Sequence, residues 1–112
     1  MTKVLILFRK RSDLGMEEFQ RYWKETHGPI AAKMPGLRRY IQDHVIADPP
    51  QEDRPHDAIA ELWFESAESF QAAMASPEGQ VTMADAATFA DMDSVRVVLA
   101  EEAIIVGEAV TA

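Results

Sequence analysis

The chain has 112 residues, no cysteine and a net charge of −8 at pH 7. It is long enough for one domain with a single core, but it can hold no disulfide, thiolate nucleophile or thiolate-bound metal. The acidic balance argues against nucleic acid as a partner. No apolar stretch approaches the roughly 20 residues that cross a bilayer, which argues against a membrane. The lack of cysteine fits a reducing cytoplasm, where we expect the protein.

The N-terminal third predicts a strand followed by a helix. Val4 to Phe8 is an unbroken apolar run typical of a strand. After Gly15, apolar residues recur at the three-then-four spacing of an amphipathic helix. That stripe consists of Phe19, Tyr22, Trp23, Thr26, His27, Ile30, Ala31 and Met34. Gly28 and Pro29 predict a left-handed cap and a kink or end of the helix near Gly28.

The rest of the chain predicts three strands and two helical segments. Residues 37–47 and 56–66 read as strands on either side of a proline-rich loop at 48–55. Ser66 and Ser76 are suited to cap two successive helices, the second extending to about Ala90. Residues 94–106 predict the last strand, with a bulge at Glu101 and Glu102.

The order βαββαβ predicts one α+β domain over residues 1–112, a ferredoxin-like sandwich. Its helices cover one sheet face only. The strands nevertheless carry apolar residues on both faces, such as Leu5 and Leu7 against Val4 and Ile6. An apolar face left open must be buried elsewhere, so we predict a homodimer that pairs through the sheet.

His27 is the first candidate for chemistry, because it lies on the apolar stripe of the helix at the Gly-Pro break. One reading is a core imidazole whose nitrogens are satisfied by neighbours. The other is a general base or acid, since a helix end favours the charged ring while burial favours the neutral ring. Spacing leaves both readings open.

A polar stripe on the second strand gives the next candidates. Tyr40, Gln42 and His44 share one face of an otherwise apolar strand, and they require polar partners if that face is buried. They either line a cavity with His27 and hold an oxygenated ligand, or they form a polar rim. Glu61 and Trp63 on the third strand either contact the ligand or line the dimer interface.

The sequence gives no support to a metal or a bound cofactor. His27, His44 and His56 match no metal-binding spacing. No phosphate loop, nucleophile elbow or dinucleotide fingerprint is present. A cluster of acidic residues is interpreted as solvated surface; it comprises Asp85, Asp91, Asp93, Glu101 and Glu102.

Residues 16–46, "MEEFQRYWKETHGPIAAKMPGLRRYIQDHVI", resemble the EthD family of dimeric α/β-barrel proteins. The resemblance lies in a helix that ends in His-Gly-Pro and in the following Pro-Gly-Leu-x-x-Tyr strand. "DAIAELWFES" at 57–66 and "ADAATFADMDS" at 84–94 match later segments of the family, so the resemblance covers nearly the whole chain.

The resemblance implies a ferredoxin-like monomer that dimerises through its sheets and has a pocket between sheet and helices. The motif histidine and tyrosine fall on His27 and Tyr40. Family members include methylmuconolactone isomerases and polyketide cyclases or dehydratases, which use acid–base chemistry without cofactors. Methylmuconolactone isomerases also use a cysteine on the third strand, where this chain has Leu62.

Three hypotheses follow for the function. The first is a cofactor-free isomerase, cyclase or lyase that acts on a small oxygenated metabolite, with His27 and Tyr40 catalytic and Gln42 and His44 orienting the ligand. The second is a non-catalytic accessory that binds a small molecule or a partner protein in an oxidative degradation pathway. The third is a barrel-type oxygenase, which would be either haem-binding or cofactor-independent.

Overall fold

The computed structural model describes residues 1–46 and 55–108 and contains a four-stranded antiparallel sheet. The strands are β1 (Thr2–Lys10), β2 (Arg39–His44), β3 (Ala58–Phe64) and β4 (Ala90–Ala100), in the spatial order β2-β3-β1-β4. The helices are α1 (Met16–Tyr22), α2 (Gly28–Ala31), α3 (Ala67–Ala75) and α4 (Pro77–Ala86). This is the predicted ferredoxin-like βαββαβ sandwich. The predicted loop at 48–55 lies outside the described residues, except for Pro55.

The first helix does not end at Gly28, contrary to the left-handed cap predicted there. A π-helical turn (Trp23–His27) joins α1 to α2, and the Gly28 N–H donates to the carbonyl of Trp23, five residues back. Gly28 has right-handed helical angles, φ −51° and ψ −53°. The wider turn carries the chain past Pro29, which has no N–H to donate. α2 ends at Ala31, and Gly36, whose φ of 78° is left-handed, lies in the turn before β2.

The core lies between the helices and one sheet face, here called the helix face. Aromatic rings fill its centre: Phe19 stacks on Trp23 at 5.8 Å between ring centroids, and Phe8 meets Trp23 edge-on at 5.5 Å. Both Phe19 and Trp23 are fully buried. Because large aromatic side chains contribute much of the burial energy of a core, this cluster fixes the π turn against the sheet.

A tight corner joins α3 to α4, and the Ser66 and Ser76 caps are present as predicted. Ser66 Oγ accepts the N–H of Ser69 at 3.1 Å. Ser76 Oγ accepts the N–H of Gly79 at 3.0 Å and donates to the carbonyl of Ala73. One serine therefore ends α3 and begins α4. A Cβ on Gly79 would meet backbone atoms of the last turn of α3, including the Ala73 oxygen.

The last strand begins and ends earlier than predicted. β4 begins with the acidic segment 90–93, in which Ala90 and Asp91 pair with Lys10 and Arg9 of β1. The ladder irregularity lies between Leu7 and Arg9 rather than at Glu101 and Glu102. At that irregularity the Arg9 N–H donates to Ser94 Oγ at 2.7 Å, so a side chain replaces a ladder partner. Beyond Ala100 the chain leaves the sheet, and Glu102 accepts the Trp63 indole N–H at 2.8 Å.

The other sheet face, here called the outer face, carries no helix in the described part of the chain. Its half-buried or exposed apolar residues are Leu5, Leu7, Ile41, Ile59 and Val98. Charged side chains lie among them: Lys3 Nζ is 2.5 Å from Glu61 Oε1. Hydrogen bonding to Glu61, followed by burial, raises the pKa of Asp43 to about 6. Across residues 1–46 and 55–108, no helix has the length and apolar content needed to cross a membrane.

Candidate active site

A small cavity of about 70 Å³ lies between the sheet and the helices. Its wall is largely apolar, and both His27 and Tyr40 line it. His27 is the last residue of the π turn, and Tyr40 lies on β2 with its side chain on the helix face. The two residues that the sequence singled out for proton chemistry therefore border the same enclosed space.

His27 is held by a carboxylate from another helix. Its Nδ1 lies 2.8 Å from Oδ2 of Asp85 on α4, and the Tyr22 hydroxyl donates to Oδ1 of the same carboxylate at 2.6 Å. A carboxylate accepts from Nδ1–H, so the neutral ring carries its lone pair on Nε2. Nε2 has no hydrogen-bond partner in the part of the chain described, and it is the nitrogen left for a ligand in the cavity.

Burial and the Asp85 contact act on His27 in opposite directions. The imidazole is only 7% exposed, and burial lowers its pKa, an effect partly offset by the hydrogen bond and charge of Asp85. The net pKa lies below the ordinary histidine value. Around neutral pH the ring is therefore unprotonated, which is the form that a general base requires.

Replacing Asp85 by asparagine should lower the pKa of His27 further, because the substitution removes the interactions that favour the imidazolium. The pKa values of all three histidines can be measured by NMR titration of their ring resonances. His56 has no contact with Asp85 and serves as the internal reference. An unchanged or raised pKa of His27 in Asp85→Asn would contradict the proposed contact.

The polar stripe on β2 forms a hydrogen-bonded chain. Gln42 Nε2 donates to the Tyr40 hydroxyl at 2.9 Å and to the Trp23 carbonyl at 2.8 Å, and Gln42 Oε1 lies 2.9 Å from His44 Nε2. The Gln42 side chain is therefore fully engaged. The Tyr40 oxygen accepts the hydrogen bond from Gln42. No acceptor for the hydroxyl proton is present among residues 1–46 and 55–108, so this proton is available to a ligand.

Burial raises the pKa of Tyr40, and hydrogen bonds from Gln42 and Trp23 act in the opposite direction. Tyr40 is consequently a neutral hydrogen-bond donor at ordinary pH. Burial first and the charge of Lys24 second lower the pKa of His44, whose ring packs on Trp23 with centroids 4.7 Å apart.

Gln42 and His44 do not line the cavity, although the sequence placed them at the ligand. They border a separate open groove of about 590 Å³ between α2 and β2, together with Lys24 and Pro29. Tyr40 is shared by the groove and the cavity. Gln42 therefore contacts Tyr40 directly, His44 contacts Gln42, and both side chains border the groove rather than the cavity.

Glu61 and Trp63, which the sequence offered either as ligand contacts or as part of the dimer interface, lie on the opposite face of the sheet from Tyr40. Both belong to the outer face, because they pair with Ile41 and Arg39 on β2 while the alternate residues of β3 enter the core. Trp63 lies between the cations of Lys3 and Arg39 at 4.9 and 5.2 Å from its ring. The second reading of the sequence, that they belong to the face left for a partner, agrees with this position.

Sequence reasoning missed Asp85 and Tyr22. Asp85 was expected on solvated surface, but its side chain is only 14% exposed against His27. Its position in an acidic stretch gives no signal of this contact, which depends on how α4 packs. Tyr22 was expected only in the apolar stripe. Within the described ranges, no three His, Asp or Glu side chains gather closely enough to hold a metal ion.

Comparison with known proteins identifies relatives of the whole domain. The model of the EthD domain matches residues 11–93. An uncharacterized 11.0 kDa protein of the thcB-thcC intergenic region of Rhodococcus erythropolis is 32% identical over 93 residues, 80% of this chain and 84% of that protein. A 4-carboxymethyl-4-methylbutenolide mutase of Pseudomonas reinekei is 33% identical over 82 residues, 68% of this chain and 76% of that protein.

Solved structures agree with this assignment. An EthD family protein of Bacillus halodurans superposes with a TM-score of 0.75 at 28% identity, over 92% of this chain and 99% of that one. SnoaB, a cofactor-independent oxygenase of Streptomyces nogalater, has a TM-score of 0.64 at 15% identity, over 96% and 97%, and shares the fold. A dimeric protein of unknown function from Bacteroides fragilis shares the ferredoxin-like fold, with a TM-score of 0.67 at 18% identity over 90% and 95%. The chain belongs to the EthD domain family.

Proposed function

We propose that this protein is a cofactor-free acid–base enzyme, an isomerase, cyclase or lyase that acts on a small oxygenated metabolite. One observation carries the proposal: an unprotonated His27, with Nδ1 bound to Asp85, lines the same apolar cavity as the Tyr40 hydroxyl. A positioned base and a hydrogen-bond donor on one cavity are the minimum set for moving a proton next to a carbonyl.

In the proposed reaction, His27 Nε2 removes a proton from a carbon next to the substrate carbonyl. The electron pair of the broken C–H bond forms the enolate, whose oxygen accepts a hydrogen bond from Tyr40. The imidazolium of His27, stabilised by Asp85, then returns the proton to another atom of the substrate. Return to a different carbon gives an isomer, whereas return to a leaving oxygen completes an elimination.

The family relatives support a reaction of this class. The Pseudomonas reinekei protein is named as a 4-carboxymethyl-4-methylbutenolide mutase. A mutase is an enzyme that catalyses an intramolecular rearrangement. The present chain has Leu62 on β3 and no cysteine, so its proton transfers are assigned to His27, with Tyr40 as the hydrogen-bond donor. We take 4-carboxymethyl-4-methylbutenolide and the simple ketone 2-tetralone as test compounds.

Proton abstraction can be measured without knowing the final product. The protein is incubated with each test compound in D₂O, and loss of the signal of the CH₂ protons next to a carbonyl is followed by proton NMR. These protons are next to the ketone in 2-tetralone and in the carboxymethyl group of the lactone, whose ring carbon beside the carbonyl is vinylic and cannot form an enolate. We expect exchange above the protein-free rate, and a rate lower by roughly tenfold or more in Tyr40→Phe because the enolate loses a hydrogen bond. Binding of the compounds without exchange would favour a ligand-binding accessory over an enzyme.

We further propose that the protein is a homodimer paired through the outer face. The support is the row of apolar side chains on that face, among them Leu5, Leu7 and Ile59, with no helix of the described ranges covering them. Structural neighbours with this fold are described as dimeric. Pairing would bury this surface, and the burial would stabilise the dimer by about 25 cal/mol for each Å² of apolar area.

A further inference from the structure

The cavity is too small to enclose a whole organic substrate. Its volume is about 70 Å³, whereas a cavity that binds benzene has about 150 Å³. A ligand that reaches His27 and Tyr40 can therefore place only one end inside. The remainder of the ligand must leave through the mouth of the cavity.

The mouth lies between α4 and β4. Met83 and Met92 both line the cavity and are both exposed, so they mark the place where it meets solvent. Methionine side chains are flexible and adapt to different apolar surfaces. The entrance is therefore apolar and deformable, with no charged group among the cavity-lining residues at this end.

An uncovered apolar surface continues from the mouth along the helix face of β4. We call it the β4 strip, and it consists of Val95, Val97 and Leu99. Val95 lines the cavity, and Val97 pairs with Ile6, which also lines it. Val97 and Leu99 are 48% and 43% exposed although they point to the face where the core lies. Adjacent apolar residues on the core side of a sheet normally lie under a helix.

The described chain that follows β4 does not cover the β4 strip. Glu102 binds Trp63 and lies 3.7 Å from Lys3, and both of these belong to the outer face. At Glu102 the chain has thus turned towards the opposite side of the sheet, and Ile104, Ile105 and Val106 further along are exposed. The strip faces solvent directly beside the cavity mouth.

We propose that the β4 strip is the outer half of the substrate site. The substrate is accordingly an elongated, mainly apolar molecule with its reacting oxygen at one end, inside the cavity, and its hydrocarbon body on Val97 and Leu99. This inference rests on the proposed function, because it takes the cavity at His27 as the reacting end. It adds the chemical class of the substrate and the residues that select it.

The test uses butan-1-ol and decan-1-ol as short and long probes. Trp63→Phe provides the background, since Trp23 is then the only tryptophan and lies in the cavity wall. Dissociation constants come from the change in Trp23 fluorescence. Each buried methylene contributes roughly a three- to fourfold gain in affinity, so we expect decan-1-ol to bind more than about a hundredfold tighter than butan-1-ol.

In the double variant Val97→Ser/Leu99→Ser, the affinity for decan-1-ol should fall by roughly tenfold, and the affinity for butan-1-ol should stay unchanged. Val98→Ser is the matched control, because Val98 is 46% exposed on the same strand but points to the outer face. Unchanged decan-1-ol affinity in the double variant, or an equal loss in Val98→Ser, would refute the proposal. The proposal would also be refuted if decan-1-ol failed to bind the Trp63→Phe protein.

Sedimentation velocity completes the test. If the double variant changes the oligomeric state of the protein, the β4 strip is covered by a second copy and the proposal is wrong. The alcohol measurements need no turnover, so they are independent of the D₂O exchange assay. If the double variant binds decan-1-ol more weakly but the protein catalyses no C–H exchange, only the acid–base function is rejected. If the protein catalyses C–H exchange but the double variant binds decan-1-ol normally, only the substrate class is rejected.

Discussion

Replacing His27 by asparagine is expected to lower kcat/KM for proton transfer by about 10²–10⁴-fold, the usual contribution of a positioned general base. The asparagine amide can still donate to Asp85, so the packing around α4 should persist. The measurement is the rate of C–H exchange in D₂O with the compound that the wild-type protein turns over fastest. Circular dichroism verifies that the variant is folded.

His56→Asn is the control for this substitution, since His56 lies outside the cavity-lining set and should retain wild-type rates. The pH profile adds a second criterion. Because burial lowers the pKa of His27, kcat/KM should rise with pH through an ionisation below the ordinary histidine value and stay level above it. If His27→Asn keeps full activity, the base must be another group.

Replacing Gly79 by alanine is expected to reduce the free energy of unfolding by about 3 kcal/mol, the upper range for overpacking in a dense interior. The new Cβ would collide with the Ala73 and Met74 backbone, and backbone cannot move aside as a side chain can. Chemical denaturation gives the free energy. A thermal melt should show a midpoint roughly 10 °C lower.

Gly15→Ala is the comparison for this stability effect. Gly15 precedes α1, and a Cβ added there would meet no atoms within 4 Å, so its replacement should cost less than about 1 kcal/mol. Similar losses for the two variants would show that the effect comes from helix capping rather than from the α3–α4 corner. A neutral Gly79→Ala would mean that this corner has room that the structure does not show.

The fold followed from the sequence wherever local pattern and burial coincide. The alternation of Tyr40, Gln42 and His44 placed them together on the helix face, and Ser66 and Ser76 gave the correct helix starts. β4 was less predictable because its first residues are acidic, and they pair only because α4 delivers the chain beside β1.

Half of the candidate site followed in the same way. His27 and Tyr40 were found from their polar character on apolar faces, and both line the cavity. Asp85 was not found, because a carboxylate on a surface helix becomes a histidine partner only through tertiary packing. The face of the sheet occupied by Glu61 could also be predicted, because Glu61 alternates with Ala60 and Leu62, which enter the core.

The π turn determines how Tyr22 and His27 are directed towards α4. In an α-helix, residues five apart are separated by 1.4 turns, since each turn takes 3.6 residues, and so point in different directions. The wider turn brings residues five apart into line along the axis, and Tyr22 and His27 both reach one carboxylate. A regular α-helix through the same residues would place His27 about 140° around the helix axis from Tyr22, so one carboxylate of α4 could not hold both side chains.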